Sequence, residues 1–260
     1  MTRTWGTALR ASAGRRSAEA AAAGEKFVIE PFTDNCRVVC RNRAHAVMGV
    51  SPNNSYFNVS QLTELLGWVC GAFRRVDVVV PDSAVVHTYR ALGHEPEQAK
   101  KKARRETAVL RNRVLRAWEA AGGMGEGHRV HLMSALAGHP VYRRLRVQVR
   151  TALATDARLR ETCLAMSREV VGARMGGAVP TQAQQETGIG YLVAELPFFL
   201  DSAAIFDAPS SLCFYHRPVP LADLIFSWET SLRPSPRQGY ALVYPAPHGA
   251  AASAVPEGER

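Results

Sequence analysis

Ser51 stands at the end of an apolar run, His45-Ala46-Val47-Met48-Gly49-Val50, and is followed at once by Pro52-Asn53-Asn54. The run reads as a buried strand. Pro52 stops it, and the two asparagines tolerate turn or left-handed backbone. The hydroxyl is therefore expected at the carboxyl end of a strand, where open α/β sheets bind their ligands. A serine there becomes a nucleophile only if a neighbour takes its proton or its surroundings stabilise the developing charge. Tyr191 and Glu195 form a second candidate group. Four residues apart on a helix, they project from one face. A phenol beside a carboxylate can bind an α-ammonium group and relay protons. Taken singly, each has an ordinary structural explanation: a turn serine, and a tyrosine and a glutamate on a half-exposed helix face.

The elements that would position these groups follow from apolar periodicity. Asn58 can cap a helix, with Gln61 three residues on, and Leu62, Leu65, Leu66, Val69, Ala72 and Phe73 continue at helical spacing. Val76-Asp77-Val78-Val79-Val80 then reads as a second buried strand, ended by Pro81. Strand, helix and strand in so short a span make a βαβ unit, which implies a parallel sheet. Upstream, residues 27–32 and 36–41 read as two strands of a hairpin around Thr33-Asp34-Asn35. Downstream, the pattern predicts helices over 84–92, 96–121, 140–155 and 157–174, the last capped by Asp156. A strand is expected at 129–133. Thr181 and Gln184 open a helix with a capping box, and that helix carries Tyr191 and Glu195. A strand over Ser211 to His216, a helix over 221–230 and a strand near 239–244 close the chain. His45 has no evident chemical task and reads as a satisfied histidine at a strand entrance.

Composition bounds the class. The chain has 260 residues, 47% hydrophobic and 21% charged, which suits one sizeable α/β domain over residues 26–246. Residues 1–25 and 247–260 read as loose terminal segments. Five scattered cysteines argue against a disulfide framework, and Cys36-x-x-x-Cys40 lacks a second ligand pair for zinc, so no metal is expected. No uninterrupted apolar run approaches the ~18 residues that span a bilayer, so a cytoplasmic, non-membrane protein is expected. Neither G-x-G-x-x-G nor G-x-x-x-x-G-K-[ST] is present, which removes support for a dinucleotide or P-loop site. The formal charge is +9, and it concentrates on the predicted helix from Pro96. There Lys100, Lys101, Lys102, Arg104, Arg105, Arg111, Arg113 and Arg116 surround a stripe of Ala99, Ala103, Leu110, Val114 and Ala117. Solvated helix faces usually mix signs. A one-signed face is matched to phosphates.

Two stretches together carry a family resemblance. His45-x-Val47-Met48-Gly49-Val50-Ser51, with Asn54-Ser55-Tyr56-Phe57 close behind, resembles the first signature of the cyclodipeptide synthases. Tyr191-Leu192-Val193-Ala194-Glu195-Leu196-Pro197 resembles the second, and the likeness extends over roughly residues 26–246. Asn54, Tyr215 and His216 match the triplet that marks one subfamily. The resemblance implies a Rossmann-like domain with a mainly parallel sheet flanked by helices, similar to the catalytic domain of class I aminoacyl-tRNA synthetases. It implies an aminoacyltransferase that joins two aminoacyl groups from two aminoacyl-tRNAs into a 2,5-diketopiperazine, through an aminoacyl-enzyme on Ser51, without cofactor or metal and as a monomer. Glu195 would hold the substrate's amino group. Tyr191 would help to position the aminoacyl moiety and act in proton transfer. Tyr215 would lie beside the nucleophile, with Asn54 and His216 shaping its surroundings. Val47, Gly49, Val79, Met133, Phe198 and Cys213 match the aminoacyl pocket, and the basic helix would meet the tRNA acceptor arm. The chain lacks the His-Ile-Gly-His and Lys-Met-Ser-Lys-Ser signatures of the synthetases themselves, in keeping with substrates that arrive activated.

Two other classes stay open on the residues alone. A serine hydrolase or acyltransferase would pair Ser51 with His131 or His216, although Asn53 stands where a nucleophile elbow needs its second glycine. A non-catalytic RNA-binding protein would account for the basic helix but leaves Ser51, Tyr191 and Glu195 without a task.

Overall fold

The computed structural model of the protein describes residues 26–246, and the two terminal segments lie outside them. Strand β1 (Phe27–Pro31) is followed by helix α1 (Asp34–Asn42), then β2 (His45–Gly49), α2 (Val59–Ala72) and β3 (Arg75–Val80). Helices α3 (Asp82–Ala91) and α4 (Pro96–Ala120) precede β4 (Arg129–Leu132). Helices α5 (Pro140–Thr155), α6 (Ala157–Arg174) and α7 (Gln182–Ile205) lead to β5 (Ser211–Tyr215), α8 (Pro220–Phe226) and β6 (Gln238–Pro245). The six strands form one sheet in the order β1-β6-β5-β2-β3-β4. All neighbours are parallel except β1, which runs antiparallel to β6 at the edge. The mainly parallel, helix-flanked sheet is the architecture expected.

One expected element is of the wrong type. The second strand of the expected hairpin is helix α1: Thr33 accepts from the Cys36 amide as its N-cap, and Arg43 ends it in the left-handed region at φ 48°. The run Cys36-Arg-Val-Val-Cys40 has the β-branched content of a strand. Its buried positions, however, are Cys36, Val39 and Cys40, an i, i+3, i+4 set that belongs to a helix lying on the sheet. Helix α8 also stops early, at Phe226, just before Trp228 takes φ 61°.

Alternation along the strands divides the core into two layers. Val47, Val79, Cys213 and Tyr240 face a layer built with α5, α6, α7 and α8. Met48, Val78, Phe214 and Val243 face the other, built with α2 and α4. Helix α7 is long and apolar enough by composition to cross a membrane, but 67% of that window is buried inside the fold, as befits a core helix. It packs on α3, α5 and α6. Asp201 leaves helical geometry (φ −162°, ψ 64°), four residues after Pro197, and its carboxylate recaps the last turn at the Ala204 amide, 3.1 Å.

The first layer also holds a buried charge. Asp77 is fully buried and accepts from His45 Nε2 and His131 Nε2, both at 3.0 Å, while Arg75 lies 2.8 Å away. Burial alone would raise this carboxyl, but the two histidines and the guanidinium outweigh it and hold Asp77 well below the usual carboxylate range. Burial keeps His45 below its ordinary value, so it donates as a neutral ring. His45 is therefore only half satisfied, against expectation: Nε2 is bonded to Asp77, while Nδ1 is buried without a hydrogen-bond partner among the described residues. Removing the carboxylate in Asp77→Ala leaves Arg75 and two imidazoles without their acceptor, and is expected to cost about 3–5 kcal/mol. Chemical denaturation at pH 7 checks this. An unchanged midpoint would contradict it.

Candidate active site

The β2 register brings the site together. Gly49 lies opposite Val79, and Val47 lies opposite both Cys213 and Asp77. Ser51, two residues beyond Gly49 and past the end of β2, emerges at the carboxyl edge of the sheet. Asn53 takes the left-handed region at φ 57°, which asparagine tolerates. Asn54 then caps a 3₁₀ turn, Ser55–Phe57, by accepting the Tyr56 amide at 3.0 Å. A backbone N–H can only donate, so this bond fixes the Asn54 amide with its oxygen toward Tyr56 and its NH₂ toward the site.

That NH₂ donates twice: to Tyr215 Oη at 3.1 Å and to His216 Nε2 at 3.0 Å. His216 must accept, hence be neutral, and burial together with Arg217 depresses it to about 4. Tyr56 stacks on the His216 ring with centroids 3.8 Å apart and planes within 11°. Tyr215 Oη lies 3.1 Å from Ser51 Oγ. Because Asn54 already donates to Tyr215, the tyrosine proton is free to point at Ser51. Ser51 can then pass its own proton toward Tyr191, with which it interacts on the other side. Tyr191 faces Glu195 in turn; burial, reinforced by that carboxylate, raises the phenol well above 10. Burial pushes Glu195 up to about 7, offset in part by the Tyr191 hydrogen bond. The six residues thus form one chain: His216 and Asn54, then Tyr215, Ser51, Tyr191 and Glu195. It ends on a carboxylate poised to take or hold a proton near neutral pH. Two residues to which the sequence alone gave no role support it. Tyr56 carries the His216 ring, and Tyr142 donates to the Ala194 carbonyl at 2.8 Å, fixing the turn of α7 that bears Glu195.

Val47, Val79, Met133, Phe198 and Cys213 are buried in one cluster. At Gly49 a side chain would meet nothing within 4 Å, so open space lies beside it. Phe198 packs on Tyr142 and Phe206, and Cys213 donates to the Phe198 carbonyl at 3.1 Å. His131 Nε2 is bonded to Asp77, and among the described residues no hydrogen bond joins His131 to Ser51, whose hydroxyl meets Tyr215 instead.

The basic helix α4 borders the same edge. Arg113 is half-buried and donates to the Phe57 carbonyl at 2.9 Å, so it ties α4 to the nucleophile's loop. Lys102 lies over the Tyr89 ring at 5.8 Å, and Lys100 pairs with Glu97 at 2.7 Å. Arg116 donates to the Asn112 carbonyl of its own helix at 3.4 Å. Lys101, Arg104, Arg105 and Arg111 are exposed. Between helix and loop lies a cleft of 360 Å³, lined by Pro52, Asn53, Tyr89, Lys102, Arg105 and Arg113 among others. It joins the cationic surface to the Ser51 loop.

The cyclodipeptide synthase profile matches residues 27–245. The chain belongs to the cyclodipeptide synthase family. It is 37% identical over 235 residues to the cyclo(L-tyrosyl-L-tyrosyl) synthase of Mycobacterium tuberculosis, covering 89% of this chain and 80% of that one. To the cyclo(L-leucyl-L-phenylalanyl) synthase of Streptomyces noursei it is 34% identical, covering 83% and 91%. A solved Mycobacterium tuberculosis structure superposes with a TM-score of 0.73 at 34% identity, covering 85% of this chain and 94% of that one. That structure is described as showing that cyclodipeptide synthetases are related to type I tRNA synthetases. The Rossmann-like sheet of this synthase family member has the same kinship.

Proposed function

We propose that the protein is a tRNA-dependent cyclodipeptide synthase that works by a ping-pong route through Ser51. The observation that carries this is the hydrogen bonding of Ser51 to Tyr215, and of Tyr215 to Asn54, with the buried Tyr191 and Glu195 interacting electrostatically with each other and Tyr191 with Ser51 on the other side. Ser51 Oγ attacks the ester carbonyl of the first aminoacyl-tRNA. The C–O bond to the ribose breaks, and the departing 3′ or 2′ oxygen takes the proton, leaving an aminoacyl ester on Ser51. Ionised Glu195 holds the α-ammonium during loading, and afterwards Glu195 and Tyr191 remove its proton. The freed amine attacks the ester of the second aminoacyl-tRNA, expels its tRNA, and gives a dipeptidyl ester on Ser51. The new terminal amine then closes on that ester, the Ser51 oxygen leaves with a proton, and a 2,5-diketopiperazine is released. Every acyl group arrives as an ester, so no step calls for ATP or a metal.

Val47, Gly49, Val79, Met133, Phe198 and Cys213 would line the first aminoacyl pocket. Their apolar character points to a hydrophobic amino acid, and Phe198 shortens the space. The hydrogen-bonded group of Asn54, Tyr215 and His216 supports membership of the subfamily with that triplet. The enzyme would act in the cytoplasm as a monomer.

Incubation with charged, radiolabelled tRNA tests the activity: a cyclic dipeptide should form, and RNase should abolish it. Ester cleavage without tRNA would favour a hydrolase. Replacing Lys100, Lys101, Lys102, Arg104 and Arg105 by glutamine should lower product formation at least about tenfold and flatten its salt dependence, since each lost phosphate contact removes about 0.7–0.9 from the log–log slope. Circular dichroism should be unchanged, because all five side chains are exposed. An unaltered salt slope would refute this role for α4.

A further inference from the structure

The route above needs two charged tRNAs, and α4 supplies one surface. Helix α5 is a second one-signed helix. Pro140–Thr155 contains Arg143, Arg144, Arg146 and Arg150 and no acidic residue. Arg143, Arg144 and Arg150 are exposed. Among the described residues, none of the four has a carboxylate within ion-pair distance, which is unlike the neighbouring helix. On α6, Arg158 pairs with Glu229, Arg160 with Glu186 and Arg174 with Glu106. Other elements bring carboxylates to these three arginines of α6, whereas none reaches the arginines of α5 among the described residues. Arg146 Nε is buried without a hydrogen-bond partner, and its guanidinium lies 5.8 Å from the Tyr142 ring.

The strip lies beside the catalytic turn. Tyr142 on α5 bonds the carbonyl of Ala194, the residue before Glu195. Across α7, His87 of α3 rests on Gly190, where a Cβ would come within 2.2 Å of His87 Nδ1. Arg146, Arg150 and Arg90 all act on this imidazole. Helices α3 and α5 both pack against α7, so cations overlook the turns that bear Tyr191 and Glu195. Arg143 and Arg150 are separated by seven residues, roughly 10 Å along the helix.

The two transfers also differ in geometry. In the first, the substrate ester must reach Ser51, on the side tied to α4 through Arg113 and Phe57. In the second, the ester must reach an amine held at Glu195, on α7. We propose that the arginine face of α5 is a second RNA-backbone surface, which receives the acceptor arm of the second aminoacyl-tRNA while α4 serves the first. This rests on the two-substrate route above.

The test separates the half-reactions with the triple substitution Arg143→Gln, Arg144→Gln, Arg150→Gln, on exposed positions whose loss leaves the core intact. Loading is followed as labelled amino acid bound to protein after mixing with a charged tRNA pool. Consumption is followed by chasing isolated aminoacyl-enzyme with unlabelled charged tRNA. Loading should stay within twofold of wild type. The chase should slow at least tenfold near 0.15 M salt, with its log–log salt slope shallower by about 2. An equal loss in both steps, or no loss in either, overturns the proposal. A wild-type enzyme that never acquires label is a different result, and refutes the ping-pong route itself.

Discussion

Ser51→Ala should abolish cyclodipeptide formation, with a fall of at least about 10³-fold, the scale set by removal of a nucleophile from an assembled catalytic group. The expectation rests on connectivity. Ser51 Oγ lies 3.1 Å from Tyr215 Oη and interacts with Tyr191 on its other side. Without it the phenols remain placed, but nothing carries the acyl group between the two transfers. The substitution deletes one oxygen from a half-buried loop position, so stability should change by under about 1 kcal/mol. Loss of activity with an unchanged melting temperature is therefore the expected pair of results. Product accumulating at more than a tenth of the wild-type rate would show that the second amine attacks the first aminoacyl-tRNA directly.

Glu195→Gln should trade activity for stability. Burial raises the Glu195 carboxyl to about 7, above its ordinary value near 4.5. A raised carboxyl favours the fold in its protonated form. That contribution is complete below about pH 4.5 and is lost as pH rises through 7. Above pH 7 the wild type holds an ionised carboxylate that the site disfavours, at a cost of about 3 kcal/mol. Glutamine keeps the shape and removes the charge. The variant should be more stable than wild type at pH 8 by up to that amount, and the two should converge near pH 4.5. Its turnover should fall by about 10²-fold or more, because the amide neither balances an ammonium group nor accepts a proton. In the wild type, kcat/KM should rise with pH through about 7 as Glu195 ionises. Urea denaturation at pH 5 and pH 8 beside the rate profile checks both halves. A stability difference between variant and wild type that is the same at pH 5 and pH 8 would show that the carboxylate is compensated by contacts other than Tyr191.

The sheet was legible because its central strands are buried on both faces and carry strongly apolar runs, as at Ala46–Val50 and Val78–Val80. The long helices were legible because caps such as Thr181 with Gln184 and Asp156 announce their starts. Helix α1 was not, because Val38 and Val39 pull toward strand while the Cys36, Val39 and Cys40 periodicity points to helix. In so short a segment, tertiary packing decides. In the site, spacing placed Tyr191 and Glu195 on one helical face, but no local pattern joins Asn54 to His216 or Ser51 to Tyr215. Those contacts depend on β5 lying beside β2, a register that only the closed sheet supplies. The Asp77 cluster was hidden for the same reason. Arg75 stands two residues before Asp77 on β3, but an aspartate within Val76–Val80 says nothing of the His45 and His131 that the neighbouring strands β2 and β4 deliver to it.

Intact-protein mass spectrometry of the wild type, quenched in acid shortly after mixing with a single charged tRNA, bears most directly on all of this. One aminoacyl residue should be added per chain, and fragmentation should locate it on the Ser51 oxygen. The adduct should disappear when a second charged tRNA is supplied. If product forms while no adduct is ever seen, or if the adduct maps to a cysteine or to another serine, the proposed route is wrong.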